Sequence, residues 1–307
     1  MRAWTKPWYF LSLLAIATAA VLFAIYSYRH RLVRSDADML ALLPSGQATV
    51  FFIDVAVLRQ AGVLTLLTGS KPVSDPEYRE FVRQTHFDYT TTLDAIAGKV
   101  RREGVFLIAR GRFEWGELRD YAKAHGGFCV KHSCSVPSSK AGRWVIFSLI
   151  QPAVMALTFS ASSSAFETLR RDDATASALM RSEPVWVNIP VDLLRNPKSV
   201  PQPLQTFAMS LQFADSIVLS LARPIGNNGA VFNVRLDANF RSAVAAETAR
   251  NQLEIQTRTL KLDLAREHQI PNPRDLTGLL TAGTFQVVGQ HLTGAWPVRN
   301  ELLNALK

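Results

Sequence analysis

The sequence predicts an α+β protein. An N-terminal transmembrane helix is followed by two tandem β-α-β-β-α-β repeats, in ferredoxin-like order, with antiparallel sheets. Three observations lead there. Residues 8–28, WYFLSLLAIATAAVLFAIYSY, carry no charge. The stretch ATVFFIDVAVLR at 48–59 returns as PVWVNIPVDLLR at 184–195. After each copy, strand-like and helix-like segments come in a similar order.

The apolar run comes first. It is long enough to cross a bilayer core as a helix, which takes roughly 20 residues. Trp8 and Tyr9 mark one end and Tyr26 and Tyr28 the other, as in an aromatic belt. Ala15, Ala17 and Ala19 resemble a cleavage site, but the run continues past them, which favours an uncleaved anchor. Arg2 and Lys6 before it nearly balance Arg29, Arg31 and Arg34 after it. A short tail at 1–7 ahead of a span at 8–28 favours export of the body. The expected location is the inner membrane, single-pass, with the body on the periplasmic side.

Residues 29–45 form the link to the body. In SDADMLALLPSG, Ser35 or Asp36 caps a short helix that Pro44 and Gly46 end. The first repeat spans 46–172. ATVFFIDV is a buried strand, AVLRQAGVLTLLTG a helix, and PEYREFVRQTHF a second helix with Pro76 at its first position. LDAIAGKV and GVFLIARG are two strands joined by RREG. FEWGELRDYAKAHGG is a helix, FCVKHSC a hairpin, and RWVIFSL with AVMALTFS a further strand pair. Serines suited to capping open a helix in SSSAFETLRR.

A polar linker at 173–182 leads to the second repeat at 183–307. PVWVNIPV is its opening strand, PLQTFAMSLQF a helix, and ADSIVLSLA with GAVFNVRLD two strands joined by RPIGNN. A helix is expected over 238–267, about 45 Å long at ~1.5 Å per residue and long enough to project past a small sheet. TFQVVGQ is a strand and AWPVRNELLNALK a closing helix. The two opening strands align without a gap: Ile53 with Ile189, Val55 with Val191, Leu58 with Leu194 and Arg59 with Arg195. Duplication of one α+β unit accounts for this, and two sheets with free faces would result.

Cys129 and Cys134 are the only cysteines. Their spacing suits a disulfide across a tight hairpin in an oxidising compartment. A metal site of Cys129, His132 and Cys134 would have an unusual spacing and no second cluster. The formal charge of +9 fits an ordinary Arg-rich surface or attraction to an anionic membrane face. The basic residues are scattered, so no nucleic-acid partner is expected.

The stretches PEYREFVRQTHFDYTTTLDAIAGKV and FLIARGRFEWGELRDYAKAHGG resemble a group of bacterial proteins typified in acidobacteria. The pattern is carried by Phe87, Asp88, Tyr89, Leu93, Asp94, Arg110, Gly111, Arg112 and Phe113, behind an ALLPSGQATVFFIDV-like opening. The resemblance implies anchoring and a duplicated α+β body, and it supplies no catalytic residues.

The chemistry-bearing residues do not cluster. Asp88 is expected to cap a turn, and Asp94 to start a strand or pair with an Arg. Arg110 and Arg112 alternate at a strand end and share a face, where they can contact an anion or a partner. The histidines at 30, 86, 125, 132, 268 and 291 form no metal-binding spacing, and neither a G-x-S-x-G elbow nor a phosphate-binding loop is present. No catalytic residue, cofactor or metal is assigned. The sequence reads as an anchored binding, scaffold or accessory protein, with the lipid bilayer and a membrane or periplasmic protein as partners. The small-molecule ligand is not identified. The rival reading is a hydrolase-type enzyme with its site in a cleft between the repeats.

Overall fold

The computed structural model describes residues 33–64, 75–101, 104–138, 142–161, 176, 179–195, 204–222 and 230–305. The predicted span at 8–28, with Trp8, Tyr9, Tyr26 and Tyr28, lies outside them, as do the serine-capped helix after residue 161 and the RPIGNN turn. Among the described residues, no helix is long and apolar enough to cross a membrane.

The described residues begin just ahead of α1 (Asp36–Ala41), started by a full capping box: Ser35 accepts from the Asp38 N–H, and the Asp38 carboxylate accepts from the Ser35 N–H. Next come β1 (Thr49–Asp54) and α2 (Val55–Gln60), whose N-cap is Asp54. Helix α3 (Pro76–Thr85) has Asp75 as N-cap, Pro76 at its start and a left-handed His86 at its end. The single turn α4 (Tyr89–Thr92) is capped by Asp88. Strands β2 (Leu93–Val100) and β3 (Gly104–Gly111), then α5 (Trp115–Ala124), lie where the sequence puts them. The hairpin of β4 (Phe128–Val130) and β5 (Ser133–Pro137) precedes β6 (Trp144–Gln151) and β7 (Val154–Ser160).

The second half repeats the plan. It contains β8 (Val185–Ile189), α6 (Val191–Leu194), α7 (Gln205–Ser210), β9 (Ala214–Ala222) and β10 (Ala230–Phe240). After these come α8 (Ala243–Arg266), α9 (Leu276–Thr281), β11 (Thr284–Val288), β12 (His291–Arg299) and α10 (Asn300–Ala305).

The strand topology repeats, but not in the ferredoxin-like order. Among the described residues, twelve strands form one sheet in the order β11-β12-β10-β9-β8-β1-β2-β3-β7-β6-β5-β4, and every neighbouring pair is antiparallel. Each half contributes the same five-strand pattern: β1-β2-β3-β7-β6 in the first and β8-β9-β10-β12-β11 in the second. A split βαβ unit places another strand between the two strands that its helix joins, whereas here β1 pairs directly with β2 and β8 directly with β9. Here a hairpin, β6–β7 or β11–β12, comes after the second helix, and its later strand pairs back onto β3 or β10. The sequence reading takes AWPVRN as helix. In fact Leu292, Gly294, Trp296 and Val298 alternate inward along β12, a period-two pattern obscured by the flanking ELLNALK.

The two halves do not form separate sheets. Strand β1 pairs with β8 through Phe51↔Val187 and Phe52↔Trp186, so the ladder runs on across the middle. One face carries the helices of both halves. Its core includes Leu58, Leu93, Ala109, Phe113 and Met155 in the first half, and Ile217, Leu236, Leu253, Leu292 and Trp296 in the second. The other face is treated unequally. Over the seam and the first half, Met39, Leu40 and Leu43 around α1 bury Phe52, Ala97, Ile108 and Trp186, joined by Ala176. Over the second half that face presents Ser216, Arg235, Asp237, Asn239, Thr293 and His291, paired across β9, β10 and β12.

Helix α8 is shorter than expected. Asn239 and Phe240 end β10, Ser242 caps the helix, and 24 residues give about 36 Å. It does not project: Ala246, Ala249, Leu253, Thr257 and Leu264 are buried along its length.

Candidate functional site

The residues singled out in the sequence are mostly fasteners. Cys129 and Cys134 sit opposite each other in the β4–β5 hairpin, 4.0 Å apart at Cα, and form a disulfide. This removes both thiolates that a metal site would need. Among the described residues, no group of three or more His, Cys, Asp or Glu side chains is placed to hold a metal ion.

Arg110, on β3, reaches Asp36 of α1 at 2.9 Å. Arg112, past the strand end, donates to the Thr91 carbonyl at 2.7 Å. The two guanidinium groups serve different contacts, one holding the entry helix and the other the turn before β2. Asp88 accepts from the Thr90 N–H at 2.8 Å, the Thr90 hydroxyl at 2.7 Å and the Tyr78 hydroxyl at 3.0 Å. Burial alone would raise its pKa. The bonds from Thr90 and Tyr78, with Arg59 nearby, hold it below the usual carboxylate range instead. Burial and the bond to Asp88 push the Tyr78 hydroxyl well above the usual range for a phenol. Asp94 lies 3.7 Å from Arg59. These groups close a turn against the sheet.

One acid–base neighbour pair was not visible in the sequence. On the polar face of the second half, Asp237 Oδ1 lies 3.4 Å from His291 Nε2, and Asn239 Oδ1 lies 2.9 Å from His291 Nδ1. The three residues stand far apart in the chain and meet because β10 pairs with β12. Both ring nitrogens lie against oxygens of β10 side chains, so the group is a cross-strand contact of the sheet. The seam where the rival reading places a cleft is filled by the β1–β8 ladder.

An apolar concave feature lies elsewhere. Beneath the helices of the second half is a cavity of about 470 Å³, within the ~300–1,000 Å³ usual for small-molecule sites. Val187, Leu219 and Leu236 of the sheet form its floor, and Leu194, Phe207 and Leu253 of the helices are in its walls and roof. A second cavity of about 400 Å³ adjoins it towards β12, and Val234, Leu276 and Leu279 stand in the walls of both. The lining is almost wholly aliphatic and aromatic. Thr49 and the indole of Trp296 contribute its polar atoms, and the buried Trp296 N–H has no hydrogen-bond partner. Such a surface offers contact area and no reactive group. No sequence signal marks it, because its leucines are those of any amphipathic helix or buried strand.

No protein-family model matches the chain, and no curated protein matches it. Among solved structures, crystal form III of TP0453 is similar with a TM-score of 0.48 at 12% identity, over 88% of this chain and 97% of that one. Crystal forms IV and I give TM-scores of 0.42, also at 12% identity. Likeness of this degree carries no inference about activity or ligands. Fold and site together define a class: a duplicated, all-antiparallel α+β sheet with apolar cavities under the helical layer of its second half.

Proposed function

We propose that this chain is a membrane-anchored, extracytoplasmic binding protein that works without catalysis. The observation that carries this reading is the larger cavity, which is shaped for an apolar ligand and lined by side chains that bind and do not react. The anchor reading rests on residues 8–28 and on the start of the folded body. Val33 is already buried, and α1 is fastened to the sheet by Asp36–Arg110. A span at 8–28 would therefore be joined to the body without a long tether. The resemblance to anchored bacterial proteins and the cysteine pairing point the same way.

The test uses the full chain. Membranes carrying it are washed with alkaline carbonate, and the protein is expected to stay with the bilayer. In intact cells given a mild reductant, a membrane-impermeant thiol reagent is expected to label Cys129, the less buried of the two thiols. Protein purified in mild detergent, then exchanged into lipid discs, is expected to take up an uncharged naphthalene-type probe saturably. A protein partner would co-purify in fixed ratio. Release by carbonate would overturn the anchor, and non-saturable probe uptake would overturn the binding site.

A further inference from the structure

The two cavities have a direction, and their rim carries charge. Along β10, Phe232 lines the smaller cavity, Val234 both, and Leu236 the larger. Ile217, in the larger cavity, pairs with Ala238 further along the same strand. From Phe232 to that level is about 20 Å at ~3.3 Å per residue. One leaflet of bilayer hydrocarbon is ~15 Å deep. The space therefore has the length of a long acyl chain. Val234, Leu276 and Leu279 line both cavities and so stand where the two adjoin.

The smaller cavity is edged by Arg274. Arg299 edges an adjacent hollow that shares Leu279 and Leu302 with it. Both arginines are exposed, and neither forms an ion pair within the described residues. Asp275 is the acidic neighbour, and its carboxylate is already taken up by the Thr277 N–H and hydroxyl as the α9 cap. The rim thus combines two available cations with one carboxylate turned to its own helix, which suits an anionic head beside an apolar slot.

We infer that the paired cavities hold one acyl chain ended by an anionic head, with the tail running past Val234 and Trp296 towards Leu236 and Ile217 and the head at Arg274 and Arg299. This deepens the binding reading and rests on it. A fatty acid and a single-chain lysophospholipid share this chemistry. A two-chain phospholipid would need a second slot beside this one, and its recovery is an outcome of the test.

The experiment is a titration of the delipidated full chain in lipid-free polymer scaffolds with a fatty acid brominated at mid-chain. Saturable quenching of tryptophan fluorescence is expected. In Trp296→Phe most of that quenching should disappear while competition by unlabelled fatty acid persists. Arg274→Glu with Arg299→Glu, both at exposed positions, should weaken fatty-acid binding at least tenfold and leave the matching fatty alcohol unchanged. A brominated lysophospholipid arm distinguishes the two head chemistries, and either one binding supports the inference. Equal weakening of acid and alcohol by the glutamates would overturn the head assignment. Recovery of two-chain phospholipid as the sole bound lipid would overturn the one-chain slot. If the uncharged naphthalene probe binds saturably and no single-chain anion does, this inference fails and the binding reading stands. If neither binds, both fail.

Discussion

Phe51 and Val187 stand directly opposite each other across the β1–β8 ladder, and they occupy the same position in the two repeats, 136 residues apart. Each repeat therefore pairs with its own copy about a local two-fold axis through this residue pair, as in an isologous dimer interface. A two-fold perpendicular to a sheet keeps each face on its own side. That is why both sets of helices lie on one face, and why only the segments leading into β1 and β8 were free to cover the other.

The seam should make the body a single cooperative unit. Trp186 is 2% exposed, and its ring stacks on Phe52 with centroids 6.2 Å apart across the ladder. Trp186→Ala is expected to cost ~3–5 kcal/mol. The unaltered chain should unfold in denaturant in one transition, monitored by circular dichroism and tryptophan fluorescence together. Two well-separated transitions would show that the halves are independent.

The repeat also duplicates a fastening. Arg59 of α2 donates to the Thr90 carbonyl at 2.6 Å and to that of Leu93, just ahead of and at the start of β2. Arg195, its repeat equivalent after α6, donates to the Gln212 carbonyl at 3.3 Å, just ahead of β9. The Arg59 side chain is 30% exposed and that of Arg195 57%. Arg59→Ala should therefore cost ~1–3 kcal/mol, and Arg195→Ala less than ~1 kcal/mol. Arg59→Lys should not restore the loss, because one ammonium cannot span two carbonyls as the guanidinium fork does. Equal effects at the two sites in equilibrium denaturation would refute the assigned difference.

The Cys129–Cys134 bond closes a short loop, with a sequence separation of 5. Chain-entropy reasoning gives about 2 kcal/mol for a loop of that size. Reduction, or Cys129→Ser with Cys134→Ser, should lower stability by that amount and leave the rest of the sheet intact, since β4 and β5 lie at its edge. Denaturation with and without reductant measures this. A loss as large as the seam substitution would mean that the hairpin organises more than its edge.

Two groups set the pH dependence of the first half. Asp88 is held below its usual range, so its contribution is present above the unfolded carboxylate value of ~3.9 and is lost as pH falls below it towards the folded value. Tyr78 is held above its usual range, so its contribution is present below ~10 and is lost as pH rises beyond that. Asp88→Asn should flatten the acid limb of a stability-versus-pH curve. Tyr78→Phe should flatten the alkaline limb. An acid limb unchanged in Asp88→Asn would show that other carboxylates govern it.

Local events are legible in the order of amino acids alone. Ser35 and Asp75 cap helices because their side chains reach backbone N–H groups two or three residues on, and that chemistry is complete within one turn. The hairpin β2–β3 and the Cys129–Cys134 pairing are likewise written in short spacings, and the repeat shows in the return of one twelve-residue stretch at 184–195. Which strands became neighbours was settled only by folding in three dimensions. Pairing β3 with β7 and β1 with β8 joins residues far apart in the chain, and an alternating apolar strand carries no label naming its partner. The site arose in the same way. Leu219, Leu236 and Leu279 read as core residues, and whether such side chains close on one another or leave a cavity depends on how the helices settle on the sheet. His291 met Asp237 for the same reason, since contact across a ladder is a property of register and leaves no trace in either strand alone.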